Sequence, residues 1–142
     1  MLGFIMSAIA GAAMSFQGVI NTRLSERIGL YESNVFAQGT AFLLSLIVMF
    51  IWGNGSFSAL GETSKVYWLG GALGLVITVT VMLSMKGLGP TAAVSAILIV
   101  QLLTAAIIDA FCLLGTEKMA FGWNKYVGLA LMAGGMLLFK WK

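Results

Sequence analysis

Five runs of roughly 20 residues, almost free of charge, take up most of this 142-residue chain. They cover residues 2–20, 33–52, 66–85, 91–114 and 123–139. A helix rises about 1.5 Å per residue, so each run is long enough to cross the hydrocarbon core of a bilayer. In lipid every backbone N–H and C=O must be satisfied internally, and a helix does that within one segment. The runs therefore predict an all-α integral membrane protein with five transmembrane helices in a single domain over residues 1–142. Composition agrees: 60% of the residues are hydrophobic and only 9% charged, against about a quarter charged in soluble domains. Such a chain cannot cover a water-facing surface, so its solvent is the lipid bilayer. The first run lacks a charged start and a small-residue cleavage signature, and it reads as a retained helix rather than a signal peptide.

The residue inventory excludes several function classes. The chain has no His and one Cys, Cys112, which rules out Cys–His catalysis, His-containing metal sites and an internal disulfide. Neither a nucleophile–base pair nor a metal-ligating cluster is visible, so the sequence does not read as an enzyme, and it implies no cofactor. A Gly-x4-Gly-Lys-Ser/Thr loop for ATP is absent as well. The net charge of +3 comes from dispersed basic residues. This fits contact with anionic headgroups and not the clustered basic face that nucleic acid requires.

The connections are short and hold most of the charge. The first carries Arg23, Glu26, Arg27 and Glu32; the second, residues 53–65, is rich in Gly and Ser and carries Glu62. The third is a tight turn over residues 86–90 that ends on Pro90, the only proline; the fourth holds Glu117 and Lys118. Trp52, Tyr67, Trp68, Trp123, Tyr126 and Trp141 fall at span ends, as an aromatic belt at headgroup level does. With five spans the termini lie on opposite sides. One side then carries Lys65, Lys118 and Lys125, and the other Arg23, Arg27, Lys86, Lys140 and Lys142. Five basic residues against three is a weak positive-inside bias.

Polar side chains within spans are the informative ones. Gln17 and Asn21 are four residues apart on one face of the first helix, and they read as lining for a solute path or as packing contacts. Gln38 in the second helix reads as a packing contact. Thr78, Thr80 and Ser84 lie in the third helix, and Thr104 in the fourth. Gln101, Ala105 and Asp109 are spaced i, i+4, i+8 and share a face of the fourth helix. Asp109 is the only acidic residue inside an apolar run. A carboxylate at membrane depth costs a few kcal/mol on insertion scales. It reads either as a proton- or cation-coupling group or as an interfacial acid paired with Lys118 or water. Small residues recur every four positions at Ser7, Gly11 and Ser15, at Gly70, Gly74 and Thr78, and at Ala130 and Gly134. Gly11, Gly70, Gly74 and Gly134 are accordingly candidate helix-packing positions.

Taken in order, these positions form a pattern. The first helix reads Gly11-x5-Gln17-x3-Asn21-x2-Leu24-x4-Gly29. The third reads Trp68-Leu69-Gly70-Gly71-x2-Gly74. The fourth reads Gln101-Leu102, then Asp109-x-Phe111 and Gly115, and the fifth has Gly128 and Gly134-Gly135. This resembles the YdcZ family of five-span bacterial proteins in the drug/metabolite transporter superfamily, over essentially the whole chain. Two positions depart from the family pattern: Val100 and Cys112 stand where a Gly is common. The resemblance implies a multi-pass protein of the bacterial inner (plasma) membrane that forms half of an inverted-repeat, ten-helix transporter. In such families the halves occur fused, as oppositely oriented pairs, or as one chain inserted both ways. Relatives in the small multidrug exporter branch use a Glu embedded in their first helix. The 2–20 run has none, so that drive mechanism does not carry over.

The expected function is secondary transport, as an exporter of a small organic solute. The alternative is a membrane scaffold or regulatory subunit that does not transport. Five spans are too few to enclose a path on all sides, and the chain shows no internal repeat. The expected partner is therefore a second copy in an antiparallel homodimer, or a paired homologue in a heterodimer.

Overall fold

The structure, a computed structural model, describes residues 1–111 and 122–140. The expected end of the fourth span beyond 111, Cys112, the fourth connection and residues 141–142 lie outside the described residues.

Among the described residues every regular element is helical. The order is α1 (Leu2–Ile28), α2 (Leu30–Trp52), α3 (Leu69–Leu88), α4 (Pro90–Ala110) and α5 (Trp123–Lys140), with two 3-10 turns, Phe57–Glu62 and Lys65–Trp68, between α2 and α3. Helices α1, α2 and α4, and α3 with its leading turn, are long and apolar enough to cross a membrane. Within α5 a shorter apolar stretch, Tyr126–Leu138, meets the same description less fully.

Two boundaries differ from the sequence reading, for one reason. The first connection is not a loop. Arg23, Glu26 and Arg27 extend α1 to Ile28, Glu32 lies in the first turn of α2, and a single residue, Gly29, joins the helices. Likewise α3 runs through Lys86 to Leu88, and Gly89 alone separates it from α4. Charge ends a membrane span without ending a helix, since Arg, Lys and Glu are good helix formers. The helices thus project past the apolar runs, and on α1 Arg23 Nη1 donates to Glu26 Oε2 at 3.1 Å on the exposed surface.

Both single-residue joints need glycine. Gly29 has φ 104° and ψ 157°, and Gly89 has φ 80° and ψ 160°, a region that only glycine occupies freely. The Gly29 N–H closes α1 on the Ser25 carbonyl at 3.1 Å, and its carbonyl opens α2 by accepting from the Ser33 N–H at 3.1 Å. The Gly89 carbonyl accepts from the Ala93 N–H at 3.1 Å, and Pro90 takes the first helical position, where its missing N–H costs nothing.

The chain divides into two compact units, Met1–Gly87 and Leu88–Lys142. In the first, α1 and α2 pack as a hairpin and α3 lies against them; in the second, α4 packs on α5. Most large apolar side chains are exposed. In the most apolar 18-residue stretch of each of the four strongest spans, no more than 6% of the residues are buried within the chain. What is buried is unusual: in the first unit it is Gly18, Asn21, Thr22, Ser33, Asn34, Met82 and Met85, four of them polar. The molecule is turned inside out relative to a soluble protein, as a lipid-solvated bundle is expected to be.

Candidate functional site

Two places, one in each unit, bring polar positions together with neighbouring helices, while Gln17, Thr80, Gln101 and Thr104 are exposed. In the first, α1, α2 and α3 meet beside the Gly29 joint. Because one residue connects α1 and α2, Asn21 and Thr22 on α1 are held close to Ser33 and Asn34 on α2, and all four are buried. The Ser33 hydroxyl donates to the Asn21 carbonyl oxygen at 3.1 Å and lies 3.7 Å from Met82 Sδ on α3. Thr22 Oγ1 donates to the Gly18 carbonyl at 2.7 Å, and Ser25 Oγ to the Thr22 carbonyl at 2.7 Å. Asn34 Oδ1 is covered and has no hydrogen-bond partner among the described residues. One turn deeper on the same face of α2, Gln38 Nε2 donates to Thr78 Oγ1 at 3.3 Å, the packing contact expected of Gln38.

The Gln17/Asn21 pair divides in the structure. Asn21 is part of this cluster, whereas Gln17 is exposed. The helices are close beside the joint and part away from it. At Gly18 an added Cβ would meet Met85 Cε and lie 2.9 Å from Met85 Sδ and 3.2 Å from Val81 Cγ1, while at Gly11 and Gly39 it would meet nothing within 4 Å. Ser33 and Asn34 escaped the sequence reading because polar residues at the start of a span are ordinary. The available signal was their position, four and five residues past a lone glycine.

The second place is an open, apolar groove of about 290 Å³ between α4 and α5. Leu102, Ala105, Ala106 and Asp109 line it from α4, and Gly128, Leu129 and Met132 from α5. Of the expected stripe, Ala105 and Asp109 face this groove, and Gln101 is exposed and not part of its lining. Asp109 is half-buried there. Among the described residues no cluster of His, Cys, Asp or Glu could hold a metal ion.

The small-residue faces stand open within the chain. A Cβ added at Gly11, Gly70 or Gly134 would meet nothing within 4 Å, and at Gly74 only Gln38 Nε2 at 3.6 Å. The close approach lies instead at Gly18.

Long apolar helices whose large side chains are mostly exposed, with a polar cluster buried among α1, α2 and α3, define a multi-pass membrane protein. The family comparison is specific: the model DMT_YdcZ, described as "Putative inner membrane exporter, YdcZ", matches residues 2–138. The chain belongs to the YdcZ family and is a multi-pass inner-membrane protein. No curated protein and no solved structure matches.

Proposed function

We propose that this chain exports a small organic solute along a path completed by a second copy in antiparallel orientation, with α5 as the fifth span. The observation that carries this reading is the placement of polarity. Asn21, Thr22, Ser33 and Asn34 are buried together where α1, α2 and α3 meet, and Asp109 stands in the α4–α5 groove. Polar groups at membrane depth are costly, and those that persist there commonly mark a solute or ion path. The second copy follows from exposure. The spans are almost uncovered within one chain, and Gly11, Gly70, Gly74 and Gly134 leave flat faces on which another helix can seat. In this reading Asn21 and Asp109 contact solute or coupling ion, and Gln17 and Gln101, exposed in the single chain, meet the path at the partner.

The test is flux of radiolabelled amines, cations, polyols, sugars and small acids from liposomes holding the purified protein. A solute that crosses with wild type, and at least about tenfold more slowly with Asp109→Asn, supports the reading. No flux and no thermal stabilisation across the panel would instead favour a scaffold or regulatory subunit.

A further inference from the structure

We infer that Asn34 is a solute-contact residue, whose carboxamide takes a hydroxyl group of a small, neutral, hydroxyl-bearing solute when the closed end of the α1–α2–α3 unit opens. The inference rests on the transport reading above and names the chemical class of the solute.

Asn34 is only 5% exposed, and its Oδ1 is fully covered without a hydrogen-bond partner. An unsatisfied buried acceptor is costly, and an apolar residue of the same shape would remove that cost. The neighbouring hydroxyls do not supply the missing donor. Ser33 is committed to the Asn21 carbonyl, Thr22 to the Gly18 carbonyl and Ser25 to the Thr22 carbonyl. The polar line continues from Asn34 to Gln38 and Thr78 one turn further into the span, so the acceptor is the end of a series rather than an isolated group.

The chemistry of the surroundings sets the class. None of the buried residues here is ionisable; Arg23, Glu26, Arg27 and Glu32 near the joint are all exposed. A charged solute buried against Asn34 would have no counter-charge, and burying an unpaired charge is strongly unfavourable. A hydroxyl both donates and accepts, so it satisfies a carboxamide whichever way its two ends point. Met82, whose Sδ lies 3.7 Å from the Ser33 hydroxyl next to Asn34 in the chain, is a flexible side chain of the kind that can re-pack around a solute.

The experiment follows thermal unfolding of purified wild type and Asn34→Leu in detergent, with xylitol and erythritol, tetraethylammonium and succinate each titrated through the low millimolar range. Saturation separates binding from the non-specific stabilisation that polyols give at high concentration. The expected result has two parts. A polyol raises the wild-type Tm saturably, and Asn34→Leu melts at or above wild type while losing that rise. Should Asn34→Leu fail to fold, Asn34→Ala serves as the second variant, and loss of the polyol rise in a folded Asn34→Ala protein supports the assignment. If a variant folds and keeps the rise, Asn34 does not touch the solute and the assignment fails. If Asn34→Leu folds but melts below wild type, the acceptor is already satisfied in the folded protein and the assignment also fails. Stabilisation by tetraethylammonium or succinate alone overturns the solute class and leaves transport standing. No binding by any probe, combined with no flux of any solute, removes both readings.

Discussion

Replacing Gly18 by Leu drives a side chain into Met85 and Val81 at the tightest point of α1 against α3. It is expected to cost about 1–3 kcal/mol, the range for overpacking a close contact, seen as a lower Tm in detergent. Gly11→Leu, seven residues away on the same helix, enters open space in the single chain and should leave the fold intact. If the Gly11 face seats a second copy, this variant weakens dimerisation, which cross-linking or size-exclusion chromatography will report. Ser33→Ala removes the donor to the Asn21 carbonyl. Its expected cost is about 0.6 kcal/mol, typical of interhelical hydrogen bonds in membranes, and an unchanged Tm would show that the bond does not hold α1 to α2.

At the scale of elements, the helices were legible and their joints were not. Hydropathy locates a span, and the five runs became five helices. It is silent on where a helix stops, because Arg23 through Arg27 suit a helix in water as well as leucine suits one in lipid. The joints depend on backbone conformation, which Gly29 and Gly89 allow and hydropathy does not register. For the same reason the cluster was half visible: Asn21 stands out in an apolar run, whereas Asn34 gains meaning only once Gly29 is known to fold α2 back beside it. Gly29→Ala and Gly89→Ala are each expected to destabilise by about 1–3 kcal/mol, because alanine is strained at these backbone angles. Gly87→Ala is the control. It is helical, exposed and open around the added carbon, and alanine there should be neutral or favourable by about 0.5–1 kcal/mol. Equal effects at Gly29 and Gly87 in chemical-denaturation midpoints would refute the role given to the joint.

For the whole molecule the open question is orientation. A chain whose spans are nearly bare, and for which five spans would put five basic residues on one side and three on the other, suits insertion in both directions, followed by pairing of opposite copies. With a single cysteine placed at the C-terminus of a Cys112→Ala variant, a membrane-impermeant reagent should label about half the chains in intact cells, given so weak a charge bias. Labelling near none or near all would mean a fixed orientation and would exclude the antiparallel homodimer. A separately encoded partner would then have to supply the other half.

The one-residue joints also determine where this polypeptide can be cut. A protease needs several residues of extended, mobile backbone in its cleft, and exposed loop tips are where nicking concentrates. Neither Gly29 nor Gly89 offers such a stretch, since helix begins on both sides of each. Among the described residues the longest exposed stretch without α-helix is the segment between α2 and α3, where short 3-10 turns alternate with irregular backbone, and it carries Glu62 and Lys65. A glutamyl protease or trypsin acting on the native protein should therefore cut there and leave the α1–α2 hairpin as one intact fragment. The same segment is the natural place to graft an epitope without disturbing either glycine joint.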